Sequence, residues 1–308
     1  MKTFLCEYIH PEAREALEAC SEIISDWGRL SECDALINRN LQLTREVLEE
    51  AKNLKVIAVH GTGMDSVDLE AAKELGIFVF NTPYRNAASV AELNIALMLM
   101  TARKVTLVQR DILADASFAD PAVVSGLQGV ELGGKTVAFL GVGEIAKKTM
   151  AICKYGFSMR CIGWSRSLTR EKAAELGVYY ADSIITAVKQ ADFVVLGMAL
   201  EEETRGIIGE KELLAMKPGA IFINTARGAL VDEIALFKAL TEPKEEGRPH
   251  LMAAGLDVVV EEPVTLNHPL YQLPNVVLTP HIGANTEEAL YRVGMACVEG
   301  IKEKALCF

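Results

Sequence analysis

The chain has 308 residues, 50% of them hydrophobic, with 31 Lys and Arg against 42 Asp and Glu and a formal net charge of −11. That length suits about two domains with sizeable cores, and the acidic balance excludes a nucleic-acid or anionic-membrane surface, which needs clustered Lys and Arg. Apolar runs such as Ile95 to Met100 fall well short of the roughly 18 residues of a membrane helix.

The opening Met1-Lys-Thr-Phe-Leu-Cys6 meets Glu7 before any secretory apolar region forms, so a cytoplasmic protein is expected. In chain order, Thr3 to Glu7 and Ala35 to Asn38 read as strands, with Glu12 to Cys20 and Thr44 to Ala51 as helices beside them. Leu54 to His60 is a third strand, Asp68 to Leu75 a helix stopped by Gly76, and Ile77 to Phe80 a fourth strand ending at Asn81-Thr-Pro83. A long apolar helix starts at Ser89, a capping-type residue, and its Met-rich stripe belongs in a core. Ala116 to Gly134, weakly patterned around Pro121 and Gly126, reads as a loop-rich arm.

The alternation then restarts. Lys135 to Leu140 is a buried strand, Gly141-Val-Gly-Glu-Ile-Ala146 a glycine turn, Glu144 to Tyr155 a helix, and Arg160 to Trp164 a second strand. A glycine turn between a strand and a helix is the dinucleotide-binding arrangement. Gly141 permits the tight turn, Gly143 lets the backbone approach a pyrophosphate, and Ala146 lets helix and strand pack closely. The free N–H groups at the helix start, at Glu144 and Ile145, would carry the phosphates. The second strand ends in Ser165-Arg166-Ser167 rather than in an acidic residue. A hydroxyl and a guanidinium suit a 2′-phosphate, so NADP is favoured over NAD.

Further units follow: strands Ala191 to Met198, Ala220 to Asn224, Ala253 to Val258 and Val276 to Thr279, with helices Glu210 to Met216 and Ala235 to Leu240. Such a series builds a doubly wound parallel sheet.

Three residues pair with that sheet as chemistry: Arg227 in Asn224-Thr-Ala-Arg-Gly228, Glu262 in Asp257-Val-Val-Val-Glu-Glu-Pro263, and His281 in Leu278-Thr-Pro-His-Ile-Gly-Ala284. Together they can move a hydride and a proton: a carbonyl to be reduced must be polarised, receive hydride at carbon and take a proton on oxygen. The forked, permanently charged Arg227 suits the first task. Histidine, with an unperturbed pKa of about 6.5, suits the proton transfer. Glu262, bonded to the other ring nitrogen, would orient the imidazole and stabilise its charged form. The seven cysteines are scattered and never spaced Cys-x-x-Cys, so neither a disulfide framework, a zinc site nor a catalytic thiol is expected.

These segments, with Gly61-Thr-Gly-Met-Asp-Ser-Val-Asp-Leu69, Ser89-Val-Ala-Glu92, Leu132-Gly-Gly-Lys-Thr136 and Met216-Lys-Pro-Gly-Ala220, resemble the D-isomer-specific 2-hydroxyacid dehydrogenases, of phosphoglycerate dehydrogenase and hydroxypyruvate/glyoxylate reductase type. The resemblance covers nearly the whole chain and implies an α/β protein with a Rossmann cofactor domain, residues 87–283, inserted into a flavodoxin-like substrate domain, residues 1–86 plus 284–308. It implies the same three catalytic roles and a homodimer. It places the substrate carboxylate on the N–H groups of Thr62 and Gly63 with Asn86 nearby. Thr225, Ala226 and Asp257 would hold the nicotinamide carboxamide, and Thr204 and Gly283 would also line the cofactor. Ending at Phe308, the chain lacks the serine-sensing domain of longer relatives, so serine control is not expected.

Departures from the pattern bear on the substrate. Asn38-Arg39-Asn40-Leu41 keeps one arginine but has Leu41 where a second basic residue stands, Val59-His60 lacks another, and Arg85 follows Tyr84 in place of a small residue. Arg39 and Arg85 are the anion contacts that remain. Gly197-Met198-Ala199 replaces the usual His or Cys before Pro, and Thr241 to His250 is long for its place. A reductase of glyoxylate or hydroxypyruvate is therefore favoured, with phosphoglycerate dehydrogenase or a dinucleotide-sensing corepressor-like scaffold as alternatives.

Overall fold

Runs such as Val56–Val59, Phe193–Leu196 and Ala220–Asn224 are buried at every position, with no residue left facing water. Strands of that kind belong inside parallel sheets covered by helices on both faces. The computed structural model describes residues 1–113, 127–243, 247 and 249–305. In it the chain falls into two compact units, Met1–Ser89 with Ala284–Phe308, and Val90–Gly283.

The first unit holds β1 (Lys2–Leu5), β2 (Glu22–Ile24), β3 (Ala35–Asn38), β4 (Val56–Val59) and β5 (Phe78–Asn81) in the order β2-β1-β3-β4-β5. Successive residues of a strand face opposite sides. Accordingly Leu36, Ile57 and Val59 enter one core, while Ala35, Ile37, Val56 and Ala58 enter the other. The C-terminal helix Glu287–Ala305 contributes Val293, Cys297, Val298 and Ile301 to that second core, against Ala13 and Leu17 of the helix Pro11–Glu18. The two ends of the chain thus complete one hydrophobic core, which is why this unit is discontinuous in sequence.

The second unit holds β6 (Thr136–Leu140), β7 (Arg160–Trp164), β8 (Tyr179–Tyr180), β9 (Phe193–Leu196), β10 (Ala220–Asn224), β11 (Leu251–Leu256) and β12 (Val276–Leu278). Their order is β12-β11-β10-β9-β6-β7-β8, and every pairing between them is parallel. This is the doubly wound Rossmann arrangement. Its direction of winding reverses at β6, where Leu140 lies opposite both Trp164 and Leu196. Loops that leave the carboxyl ends of strands on either side of such a reversal make the ligand crevice of open α/β sheets.

Several elements differ from expectation. The short edge strands β2, with sequence Glu-Ile-Ile, and β8, Tyr-Tyr, carry no alternating pattern to reveal them, and so the first sheet has five strands rather than four. The long apolar helix runs Ala87–Ala102. Ser89 is therefore inside its first turn, 5% exposed, and does not cap it. The turn before it is made by Tyr84, at φ 69, whose carbonyl accepts from the Ala87 N–H. Of the expected arm, residues 116–126 lie outside the described residues, and 127–134 contain neither helix nor strand. Within the Thr241 to His250 loop, residues 244–246 and 248 also lie outside them, as does Cys307. No helix among the described residues is long and apolar enough to cross a membrane.

Candidate active site

Arg227, Glu262 and His281 follow the carboxyl ends of β10, β11 and β12, three adjacent strands. The histidine turn is built by Asp257, which is 1% exposed. Its carboxylate accepts hydrogen bonds from Thr279 Oγ1 at 2.6 Å, Ile282 N–H at 2.8 Å and Gly283 N–H at 2.8 Å. Its carbonyl accepts from the His281 N–H at 2.8 Å. These bonds fix His281 in the left-handed region at φ 54, a conformation that needs such outside support in a residue other than glycine. A Cβ on Gly283 would come within 2.9 Å of Asp257 Oδ2, so the turn closes this tightly only with glycine there. Burial pushes the Asp257 carboxyl above the usual carboxylate range, while the bonds from Thr279, Ile282 and Gly283 oppose it.

Nδ1 of His281 lies 2.8 Å from Glu262 Oε2. An ionised carboxylate can only accept, so Nδ1 carries the proton of the neutral ring and Nε2 is left as the working atom. Both side chains are about one-third exposed, 31% and 34%. Glu262 Oε1 also accepts from Val259 N–H at 3.4 Å, and the loop is held once more where Val260 N–H donates to Glu233 Oε1 at 2.8 Å. His268 Nε2 stands 3.5 Å from the other oxygen of Glu233.

Arg227 is braced by Asn224, whose amide donates to the Arg227 carbonyl at 2.9 Å and accepts from Ala226 N–H at 2.9 Å. Its Nη1 donates to Ala226 O at 2.7 Å. The next residue, Gly228, presses on the loop of Glu262. A Cβ there would lie 2.0 Å from Val259 C and 2.4 Å from Val260 N. The arginine segment and the glutamate loop are therefore locked backbone to backbone.

The glycine turn after β6 has the features a dinucleotide needs. Gly141 sits at φ 102, and a Cβ on it would be 2.4 Å from Gly197 O. A Cβ on Gly143 would meet nothing within 4 Å, and Gly143 caps the helix Glu144–Phe157 without a side chain. The turn is thus open beside Gly143, at the start of a helix whose first N–H groups, at Glu144 and Ile145, favour an anion. Glu144 turns its own carboxylate to Lys147 at 2.6 Å. Ala146 is 3% exposed and packs on the sheet. Ser165 and Arg166 lie just beyond β7, the latter exposed and 2.6 Å from Glu201. Thr225 Oγ1 donates to Asn94 Oδ1 at 2.8 Å, and Asn94 in turn donates to Thr149 Oγ1 at 3.2 Å. Thr204 is 3% exposed; its hydroxyl donates to Ala199 O and accepts from Glu201 N–H, so it braces its own loop.

The remaining predicted residues belong to the first unit. Thr62 and Gly63 form a loop after β4 that Asn81 holds by donating to the Thr62 carbonyl at 2.6 Å, and Thr62 Oγ1 donates to Asn86 Oδ1 at 3.3 Å. The N–H groups of Thr62 and Gly63 have no partner among the described residues. Arg39 donates to Asn285 Oδ1 at 3.4 Å, and burial lowers its pKa. Arg85 is exposed, its carbonyl accepting from Arg292 Nε. Burial pushes the Cys6 and Cys153 thiols up to about 12, which makes them poor nucleophiles.

Sequence reasoning missed Asn94, Asn224, Glu201 and Glu233. Asn94 had a visible signal, a lone amide in an apolar helix, since a buried amide requires partners.

A family model described as D-isomer specific 2-hydroxyacid dehydrogenase, NAD binding domain, matches residues 95–283. Over 98% of its length the chain is 38% identical to D-3-phosphoglycerate dehydrogenase of Methanocaldococcus jannaschii, of which it spans 57%. It is 39% identical to hydroxypyruvate reductase of Thermotoga maritima, over 94% of this chain and 91% of that one. Among solved structures, a glyoxylate reductase from Paecilomyes thermophila superposes with a TM-score of 0.82 at 28% identity, covering 98% of this chain and 94% of that one.

Proposed function

The chain belongs to the D-isomer specific 2-hydroxyacid dehydrogenases, and we propose that within them it reduces a small 2-oxo acid of glyoxylate or hydroxypyruvate type to the D-2-hydroxy acid. The observation that carries this reading is the His281–Glu262 pair at 2.8 Å, which leaves Nε2 for proton transfer. Bound nicotinamide dinucleotide supplies the hydride. Arg227 binds the substrate carboxylate and polarises its carbonyl; His281 as imidazolium gives its Nε2 proton to the carbonyl oxygen, becoming the neutral ring with its remaining proton on Nδ1, and takes a proton at Nε2 in the reverse direction; Glu262 holds the ring and balances its charge.

The N–H groups of Thr62 and Gly63 are assigned to the substrate carboxylate, with Asn86 beside them and Arg39 and Arg85 for any further anionic group. Gly141, Gly143, Glu144 and Ile145 take the pyrophosphate, and Thr225, Ala226, Asp257 and Gly283 line the nicotinamide. Ser165 and Arg166 favour NADP over NAD. Phosphoglycerate is the second substrate to test, because the guanidinium of Arg39 donates only to the neutral Asn285 among the described residues. A homodimer is carried over from the family resemblance, and sizing in solution tests it.

Absorbance at 340 nm, followed with a panel of 2-oxo acids and both cofactors, tests the whole. Turnover of glyoxylate or hydroxypyruvate that disappears in His281→Ala supports the enzyme. Cofactor binding without turnover of any acid overturns it in favour of a scaffold.

A further inference from the structure

A carboxylate from the loop after β9 reaches the arginine that follows β7. The glycine turn after β6 is flanked on both sides: Gly141 N–H donates to Trp164 O at 2.7 Å on the β7 side, and Gly197 N–H donates to Leu140 O at 2.8 Å on the β9 side. Arg166 stands two residues past β7 and Glu201 five residues past β9. Their side chains meet, with Arg166 Nη2 at 2.6 Å from Glu201 Oε2, and the ion pair links the two loops that border the dinucleotide turn. The backbone beneath Glu201 is fixed, since its N–H donates to the buried Thr204 hydroxyl at 2.7 Å, which itself donates to Ala199 O at 2.9 Å.

We infer that Glu201 is a specificity-determining residue of the cofactor site, holding Arg166 in an ion pair that a 2′-phosphate must break. The inference rests on the proposal that Ser165 and Arg166 receive that phosphate. NAD can enter with the pair intact, because a ribose 2′-hydroxyl makes no demand on the guanidinium. NADP cannot, because Arg166 must exchange one anionic partner for another while Glu201 remains nearby as a like charge. The pair is 61% and 44% exposed, so it is weak enough to open. Glu201 therefore restrains the preference for NADP without abolishing it, and the chain accepts both cofactors.

Dissociation constants for NADPH and NADH, measured by titration calorimetry at fixed ionic strength on the full chain, test this. Glu201→Gln is expected to tighten NADPH binding roughly three- to tenfold, the scale of releasing one exposed ion pair and removing one repulsion, and to leave NADH within about twofold. Glu203→Gln, which removes the same charge from the same exposed turn, is expected to leave the ratio of the two constants unchanged. An equal change for both cofactors in Glu201→Gln, or the same selective gain in Glu203→Gln, overturns the inference, because either marks a general charge effect. If Arg166→Ala weakens NADPH selectively while Glu201→Gln changes nothing, the inference fails and the phosphate site stands. If neither variant moves the ratio, the phosphate site fails as well.

Discussion

Glu262 Oε2 and His281 Nδ1, 19 residues apart in the chain, stand 2.8 Å from each other because β11 and β12 are neighbours in the sheet and Asp257, just past β11, bonds the turn that follows β12. The pair has a measurable consequence. His281→Ala removes the proton donor and is expected to lower kcat/KM by about 10²- to 10⁴-fold, the usual worth of a positioned general acid. Glu262→Gln keeps the shape but not the charge and is expected to cost less, about 10- to 10²-fold, with KM little changed. Steady-state rates with glyoxylate check both, and a Glu262→Gln enzyme as active as the parent would remove the carboxylate from the mechanism.

The Arg227 backbone is held in place, its carbonyl and the preceding N–H both tied to Asn224, and the proposed role of its side chain is a forked contact. A lysine keeps the charge but offers a point donor in place of two parallel ones. Arg227→Lys is therefore expected to raise KM for the 2-oxo acid and to lower kcat, each by roughly tenfold or more, because the contact strengthens as charge grows on the carbonyl oxygen. Unchanged thermal melting alongside those losses separates a lost contact from a lost fold.

Gly228 tests the lock between the arginine segment and the glutamate loop. A methyl group there would sit 2.0 Å from Val259 C, a backbone atom that no rotamer change can move aside. Gly228→Ala is expected to destabilise the protein by about 1 to 3 kcal/mol, as overpacking does, and to lower kcat by displacing Glu262. Urea unfolding and rate measurements on one preparation check the two effects together. Full stability and activity would show that the loop yields at no cost.

The catalytic trio and the glycine turn are legible in the sequence because each lies in a short run whose residue types follow from local chemistry: a forked cation, a proton carrier, and glycines where a backbone must come close. Glu201 and Glu233 are not legible in that way, and the lone amide of Asn94 shows only that it needs a partner, not which one. Their roles depend on partners far along the chain, 131 positions away for Asn94 and Thr225 and 35 for Glu201 and Arg166. Strands with fully apolar sequences such as Phe193–Leu196 declare themselves, whereas the edge strands β2 and β8 form because a neighbour offers them backbone partners. Ser89 misled for a related reason. The turn at Tyr84 starts the helix upstream of the residue that looks like its cap.

His60, next to the loop of Thr62 and Gly63, gives the first unit a dependence on pH. The residue is 5% exposed, and its Nε2 is buried without a partner among the described residues. Burial, with the nearby Arg39 charge, lowers its pKa to about 4 from an ordinary 6.5. In the unfolded chain the ring takes up a proton as pH drops below about 6.5, while in the fold it stays neutral down to about 4. The stability tied to the neutral ring is thus fully present above 6.5, declines below it, and is spent once pH has fallen through 4. At pH 5 the expected loss is about 2 kcal/mol relative to pH 7. Trp27 lies in the first unit and Trp164 in the second, so urea unfolding of a Trp164→Phe background, followed by tryptophan fluorescence, reports the unit that holds His60. His60→Gln in that background cannot titrate and is expected to lose about 2 kcal/mol less than its parent between pH 7 and pH 5. Equal losses in the two proteins would show that the buried imidazole takes no part in the acid response.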